Sequence, residues 1–262
     1  MSSISSIKSS IRDIGISTRL YRPGTFSRWF NRSYLAKFNQ EISFFSTLLE
    51  HNSLCFDVGA NIGEKSEVLL KTGASVVAFE PQLNCVEKIK ARCRPYRDHL
   101  RICQSALGSE PGEAELYVSH NNAVSSFFQD WSEDSTIKAQ VTVITLDQAI
   151  AQFGKPSYCK IDVEGWELQV LRGLTQPIPL ISIEYHLGDR EIDIVRNCLA
   201  YLSQFGELKI NITTAETLMF TLQEWVSLEK FLELFPGTFR DKYEYRYGDI
   251  FIRIFSRISE VT

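Results

Sequence analysis

The chain has 262 residues, of which 44% are hydrophobic, and a formal net charge of −4. This length and apolar content suffice for one large domain with its own core, and the acidic balance argues against a general nucleic-acid binder. No run of about 18 apolar residues is present, so we expect no transmembrane segment. The six cysteines form no C-x-x-C pair and no ligand-like spacing with the four histidines, which suits a reducing compartment and predicts a cytoplasmic protein.

The first fifty residues differ in charge from the rest and are interpreted as a basic N-terminal helical extension, residues 1–50. Residues 1–40 carry seven lysines and arginines against a single acid, Asp13. Isoleucines recur there with the spacing of an amphipathic helix, at Ile4, Ile7, Ile11 and Ile14. Three roles stay open: a mobile arm or a helix that caps the ligand pocket, peripheral contact of residues 1–20 with an anionic membrane or partner, and a transit peptide.

A strand, a glycine turn and a helix are predicted in the most informative stretch, residues 54–70, after a helix at 41–49. Residues 54–57 predict a short buried strand, residues 58–63 form the turn, and a helix beginning with Val68 ends before Gly73. Gly59 and Gly63 let the backbone turn sharply and approach a ligand, which a Cβ would hinder. This order is the opening unit of a nucleotide-type α/β fold, which holds its ligand where the strand becomes the helix.

The charge at this turn narrows the choice of ligand. Asp57 stands at the entrance of the loop, where it would repel a pyrophosphate but suits a ligand carrying an ammonium and a sulfonium. The second strand, residues 75–79, ends in an acid at the position that grips ribose hydroxyls in this architecture. These features predict S-adenosylmethionine rather than NAD. The predicted cofactor residues here are Asp57, Gly59, Ala60, Asn61, Gly63, Glu80 and Pro81.

The next elements are a helix at residues 83–93 and a third strand at 100–106. The end of this strand offers Ser105 and Ala106 as contacts to the cofactor's adenine, with plain packing of Ser105 as the alternative. Residues 112–119 and 140–145 alternate in hydropathy like strands on the margin of the sheet. The polar loop between them contains Ser125 and Ser126, which are candidate substrate contacts, with an exposed loop as the plain alternative.

Acidic residues recur at the ends of the predicted strands. A helix at 146–153, a fourth strand at 158–162, a helix at 166–171 and a fifth strand at 180–184 alternate along the chain. Ligands of an open parallel sheet bind beyond the carboxyl ends of its strands, so acids there are expected to lie close together. A buried carboxylate costs free energy unless it has a partner or a function, which favours a functional role for Asp57, Glu80, Asp162 and Glu184.

The last third of the chain completes the predicted sheet. Residues 192–205 and 222–234 predict helices, residues 208–212 predict a strand, and a final strand at 249–255 is expected to complete an antiparallel edge. The predicted fold class is therefore α/β, with a mostly parallel sheet, helices on both faces and an antiparallel edge.

Three segments, DVGANIG at 57–63, FEP at 79–81 and KIDVEGWELQVLRG at 160–173, resemble the FkbM family of S-adenosylmethionine-dependent methyltransferases. The resemblance covers residues 53–187, about half of the chain, and KIDVEG is its most specific part. It implies a class I methyltransferase (Rossmann-like) domain over residues 51–262 and methylation of a hydroxyl oxygen. Macrolide-type natural products and sugars are the acceptors that it implies, and it places the serine-rich loop near the active site.

Transfer to a hydroxyl is helped by a general base that takes the acceptor's proton. Asp162 is the first candidate, because it lies at the strand end nearest the expected methyl group. His186 is the second, with an ordinary pKa of about 6.5 that suits the task, and Glu184 is the third. Glu164 and Glu184 are also candidates to bind acceptor hydroxyls or a divalent cation, but no ligand spacing requires a metal and none is predicted. Trp166 either stacks on an acceptor sugar or packs its helix on the sheet.

Three other classes of protein are weaker interpretations, one of them a membrane- or partner-recruited scaffold that acts through the basic N-terminal helix. An NAD-dependent oxidoreductase would need G-x-G-x-x-G after the first strand, whereas this chain has G-x-x-x-G preceded by an acid. A non-catalytic binding module is expected to have lost one of the motif residues, yet Asp57, Gly59, Glu80 and Asp162 are all present. The leading hypothesis is an O-methyltransferase with a small-molecule or glycan hydroxyl acceptor and no nucleic-acid partner.

Overall fold

The computed structural model describes residues 25–118, 137–214, 219–238 and 247–255. The chain divides into two units, Met1–Gln40 and Glu41–Thr262. Helix α1 (Thr25–Ser46) begins well before the predicted helix at 41–49, and in the first unit the rings of Tyr34 and Phe38 stack with centroids 6.0 Å apart. The isoleucine stripe lies outside the described residues. No described helix has both the length and the apolar character needed to cross a membrane.

Five parallel strands form one half of the main sheet: β1 (Leu54–Val58), β2 (Ser75–Phe79), β3 (Leu100–Cys103), β7 (Tyr158–Ile161) and β8 (Leu180–His186). Their order in space is β8-β7-β1-β2-β3. The three central strands β1, β2 and β7 are buried along almost their whole length, because helices connect parallel strands and cover the sheet. The three strands are therefore apolar along most of their length rather than alternating, with Asp57 in β1 and Lys160 in β7 as buried charged exceptions.

The other half of the sheet is antiparallel and contains β9 (Glu207–Ile212), β10 (Val226–Ser227) and β11 (Tyr247–Phe255). The last strand was predicted to lie at the edge of the sheet, and this position is wrong. β11 lies between β8 and β9 and is antiparallel to both, whereas β10 is the edge strand. The full order β10-β9-β11-β8-β7-β1-β2-β3 has a parallel half and an antiparallel half, which is the class I methyltransferase arrangement. The predicted fold class is confirmed.

The third strand was predicted to run over residues 100–106, but the structure divides this segment between the main sheet and a second, three-stranded sheet. The main-sheet strand β3 stops at Cys103, and β4 (Ala106–Leu107) pairs instead with β6 (Ile137–Ile144). β6 also pairs with β5 (Gly112–Val118), which gives the order β4-β6-β5. The two strands expected on the margin of the main sheet therefore have their own small apolar cluster, formed by Ala106, Leu116, Val141 and Val143.

The remaining helices largely agree with the predicted ones and differ mostly at their ends. α2 starts four residues earlier than predicted, because Gly63 in the left-handed conformation ends the turn directly before it. α7 starts six residues later than predicted, because residues 226–227 pair with β9 and Ser227 accepts a hydrogen bond from Lys230 N as the N-cap. Their bounds are α2 (Glu64–Lys71), α3 (Leu83–Arg92), α4 (Leu146–Phe153), α5 (Glu167–Arg172), α6 (Asp189–Leu202) and α7 (Leu228–Leu234), with 3-10 turns at Arg94–His99 and Ser203–Phe205.

Candidate active site

A cavity of about 480 Å³ opens at the carboxyl ends of the parallel strands, a volume typical of small-ligand sites. The cavity is surrounded by the loops after β1, β2, β3 and β7, the short strand β4, the end of β8, and one residue each from β5 and β11. Its lining residues are Val58, Gly59, Asn61, Phe79, Glu80, Pro81, Gln82, Ser105, Ala106, Leu107, Leu116, Asp162, Val163, Glu164, Glu184 and Tyr247. The strand-end acids Glu80, Asp162 and Glu184 thus share one cavity, whereas Asp57 does not line it.

The glycine loop holds three strand ends together. The amides of Gly59 and Ala60 both donate to the Phe79 carbonyl at the end of β2, at 3.1 Å. Gly59 has a φ of +78°, and a Cβ there would lie 1.9 Å from the Asp162 carbonyl oxygen. Only glycine therefore fits between the ends of β1 and β7 without moving the loop. Ala60 and Gly63 do not line the cavity, and a Cβ on Gly63 would press on Ile89 of α3 at 3.2 Å.

Glu80 ties this loop to the second strand. Its carboxylate accepts hydrogen bonds from the amides of Asn61 at 2.9 Å and Gln82 at 2.8 Å. Each carboxylate oxygen has a further acceptor position, so the side chain retains capacity for hydroxyl donors in the cavity. Burial raises the pKa of Glu80 to about 7, although the two amides oppose the shift. This placement fits a carboxylate that binds two ribose hydroxyls.

Asp57 lies beneath the loop. It is fully buried, Ser66 Oγ donates to its Oδ2 at 2.5 Å, and within the described part of the chain its Oδ1 has no hydrogen-bond partner. Burial raises its pKa, while the nearby Lys160 and Ser66 lower it. Asp57 was predicted to contact the cofactor, but its carboxylate is buried below the loop and does not line the cavity.

Gln82 lines the cavity but was not among the residues predicted from the sequence. Its Oε1 is enclosed and has no hydrogen-bond partner among the described residues, and the side chain lines the cavity beside Glu80 and Pro81. A buried acceptor without a partner is unusual and fits a donor on a bound ligand. The only sequence signal was its position directly after the Glu80-Pro81 pair.

Asp162 lines the cavity and forms an ion pair with the buried Lys160. Lys160 Nζ donates to Asp162 Oδ2 at 2.5 Å, and the Lys160 side chain is only 6% exposed. Burial would raise the pKa of Asp162, but the Lys160 ammonium and hydrogen bonds from Lys160 and Glu184 outweigh it and lower the pKa. Lys160 carried no predicted role, although a lysine inside a buried strand was itself a signal.

Glu184 and His186 form a second polar pair at the end of β8. Their side chains meet at 3.3 Å between Oε2 and Nε2. Burial and the Asp162 charge raise the pKa of Glu184 to about 8, and the bond to Glu184 raises the pKa of His186. Glu184 lines the cavity, whereas His186 lies in a small adjacent crevice and stacks on Tyr247 at a centroid distance of 5.8 Å.

The other predicted acceptor residues are distributed differently. Glu164 lines the cavity from the loop after β7, where it has a φ of +52°. Trp166 does not line it, because its ring packs against the apolar core and near Gly108. The structure therefore supports packing rather than sugar stacking for Trp166. Ser125 and Ser126 lie outside the described residues.

The sheet has the strand order of class I methyltransferases, and a ligand-sized cavity opens at the carboxyl ends of its parallel strands. These two features indicate a methyltransferase. Residues 57–209 match the family described as "Methyltransferase FkbM domain". This match covers more than half of the chain, so the protein belongs to the FkbM methyltransferase family, and the resemblance seen in the three motifs is confirmed. S-adenosylmethionine is its cofactor, and the Gly59 loop, the Glu80 carboxylate and the open Gln82 acceptor are groups that would hold it.

A curated relative is the hexuronic acid methyltransferase AglP of Haloferax volcanii, 28% identical over 152 residues, which cover 56% of this chain and 62% of that protein. The chain thus spans less than two thirds of this relative's length. Among solved structures, the precorrin-6y C5,15-methyltransferase of Geobacter metallireducens is 11% identical with a TM-score of 0.44, covering 84% of this chain and 87% of that one. The fibrillarin of Aeropyrum pernix with bound S-adenosyl-L-methionine is 6% identical with a TM-score of 0.43, covering 78% and 67%.

Proposed function

We propose that this protein transfers a methyl group from S-adenosylmethionine to a hydroxyl oxygen of a sugar or glycan. One observation carries the proposal: Asp162, a carboxylate held ionised by Lys160, lines the same cavity as the Gly59 loop and Glu80. A proton acceptor and the groups expected to hold the methyl donor are thus within one cavity. The curated relative, a hexuronic acid methyltransferase, supports a sugar as the acceptor.

The chemical step needs mainly alignment and a place for one proton. When bound, S-adenosylmethionine would supply an electrophilic methyl group for the acceptor oxygen, and its sulfur would keep the electron pair of the broken bond. Asp162 takes the hydroxyl proton in this step. Because the pKa of Asp162 is lowered, it is a weak base, and the Gly59 loop and the strand ends contribute chiefly by holding the two reactants in line.

His186 is less well placed for this role. It does not line the main cavity, and its ring nitrogen contacts Glu184 instead. We assign Glu184 and Glu164 to the binding of acceptor hydroxyls, since a carboxylate accepts hydrogen bonds from hydroxyl donors and both side chains line the cavity.

The proposal is tested by incubating the full chain with methyl-labelled S-adenosylmethionine and a panel of neutral hexoses and hexuronic acids. We expect labelled product with at least one sugar, with the methyl located on a hydroxyl oxygen by NMR. Asp162→Asn should lower the rate at least about a hundredfold, whereas Glu115→Gln, on the second sheet, should not change it. Cofactor binding without transfer to any sugar would favour the non-catalytic module, and an equally active Asp162→Asn would exclude Asp162 as the base.

A further inference from the structure

Three side chains of metal-binding type meet at the rim of the cavity. Glu164, Glu184 and His186 each offer one ligand atom, and these atoms all lie within 4.8 Å of one another. Glu184 and His186 are two residues apart on β8, so they project from the same face of the strand, and Glu164 reaches them from the loop after β7. The group combines two carboxylates with an imidazole, so it is more than a cluster of acids.

We infer that Glu164, Glu184 and His186 bind one divalent cation of the Mg²⁺ or Mn²⁺ class. Carboxylate oxygens are the ligands that these hard cations prefer, and a single imidazole is compatible with Mn²⁺. The described part of the chain contains no second such group of three. Binding of the cation depends only on these side chains, whereas its role toward a sugar rests on the proposed function.

The charge of the cavity gives an independent reason for a cation. Its described lining includes four carboxylates, Glu80, Asp162, Glu164 and Glu184, and no lysine or arginine. The buried Lys160 ammonium already contacts Asp162. In their ionised forms these carboxylates repel an anionic acceptor such as a sugar acid, and a bound dication, which favours the ionised forms, would reverse that repulsion.

The position of the three ligands leaves room for an acceptor. Glu164 and Glu184 line the main cavity, while His186 lies in the small adjacent crevice and stacks on Tyr247. A cation held by three protein ligands retains open coordination positions, as catalytic metal sites do. Oxygens of a sugar would fill the positions that face the cavity. A divalent cation polarises a bound oxygen, so the same ion would orient the acceptor and ease loss of its proton.

Mn²⁺ binding to the full chain tests this inference without any acceptor. The electron paramagnetic resonance signal of free Mn²⁺ is followed as protein is added, with and without S-adenosylhomocysteine, and Mg²⁺ is then added as competitor. We expect one Mn²⁺ per chain, displaced by Mg²⁺. Glu164→Gln and His186→Gln should each weaken binding about tenfold or more, while the matched control Glu115→Gln should bind as the wild type does.

The two substituted side chains are partly exposed, so the variants should fold, and their affinity for S-adenosylhomocysteine checks this. No Mn²⁺ binding by the wild type, or binding indifferent to both substitutions, would overturn the inference. If Mn²⁺ binding maps to these residues while no sugar is methylated, the cation site stands and the proposed function is wrong. If sugar methylation continues unchanged in excess EDTA and Mn²⁺ does not bind, the cation site is wrong and the proposed function stands.

Discussion

Lys160 connects the buried charges beneath the cavity. Its side chain is 6% exposed, it donates to Asp162, and the charges of Asp249 and Asp57 also act on it. Burial would lower its pKa, but the three carboxylates raise it, so the ammonium persists throughout the neutral range. Removing one partner of a buried ion pair leaves the other charge uncompensated, which costs far more than the net value of the pair.

We therefore predict that Lys160→Met lowers the free energy of unfolding by about 3–5 kcal/mol near neutral pH. The pKa of Asp162 is lowered in the folded state, so its contribution to stability is present above its ordinary value of 3.8 and lost as the pH falls through the folded value. The loss caused by the substitution should therefore shrink toward acid pH. Urea unfolding at neutral and acid pH measures both effects.

Lys138→Met is the matched control for this prediction, because Lys138 pairs with Glu115 at 2.9 Å on an exposed surface. Exposed ion pairs contribute little to stability, so this variant should unfold almost as the wild type does. Similar losses in the two variants, or a loss in Lys160→Met that does not depend on pH, would show that Lys160 acts through packing rather than charge.

The raised pKa of Glu80 predicts that cofactor affinity depends on pH. Its folded-state pKa of about 7 lies above the ordinary value of 4.5, so its contribution to stability is present below 4.5 and lost as the pH rises through about 7. Ribose hydroxyls that donate to the carboxylate favour its ionised form, and binding should therefore release a proton. We predict that affinity for S-adenosylhomocysteine rises with pH and levels off above about 7.

Calorimetric titration at several pH values, in buffers of different ionisation enthalpy, measures both the affinity and the released proton. Glu80→Gln should bind more weakly and lose this pH dependence, because an amide does not titrate in the range. An unchanged pH profile in Glu80→Gln would assign the dependence to another group.

At the scale of single elements, the loop after β1 depends on one glycine. We predict that Gly59→Ala destabilises the fold by about 1–3 kcal/mol, because the left-handed backbone and a contact of 1.9 Å with the Asp162 carbonyl both oppose a Cβ. The loop must also move, so binding of S-adenosylhomocysteine should be lost. Gly112→Ala is the control, since a Cβ there meets nothing within 4 Å. Urea unfolding and calorimetry of the two variants test this, and equal effects would contradict it.

Elements with a local signal were predictable from the sequence, and those that depend on distant partners were not. Strand β2 and helix α4 have the predicted bounds, and α4 is fixed locally by a capping box in which Thr145 and Gln148 bond each other's backbone amides. The position of β11 inside the sheet and the transfer of β4 to a second sheet depend on pairing with residues far along the chain. No local pattern encodes that choice.

The same distinction applies to the site. Acids at the ends of parallel strands were expected to gather at one edge, and Glu80, Asp162 and Glu184 do so because strand polarity alone brings them there. The spacing of residues in the sequence does not show which side chains come into contact. The structure was therefore needed to find three features: the ion pair of Lys160, the enclosed oxygen of Gln82, and the proximity of Glu164 to His186. Asp57 shows the converse, since its strand end is near the cavity but its carboxylate is buried below it.

At the scale of the whole molecule, charge should decide which ligand stabilises the fold. The described cavity lining is acidic, so it suits the ammonium group of S-adenosylhomocysteine and opposes the pyrophosphate of NADH. A ligand that binds only the folded state stabilises it by about 2.7 kcal/mol at a hundredfold excess over its Kd. For a chain of 262 residues this corresponds to a rise in Tm of roughly 5–10 °C.

We predict this rise with S-adenosylhomocysteine and none with NADH at the same concentration, measured by thermal unfolding of the full chain. Gly59→Ala should show no rise with either ligand, because its loop no longer fits against the end of β7. Equal shifts with both ligands would mean that binding depends on the adenosine they share and not on the acidic rim. The carboxylates at the strand ends would then serve the acceptor or the cation rather than selection of the cofactor.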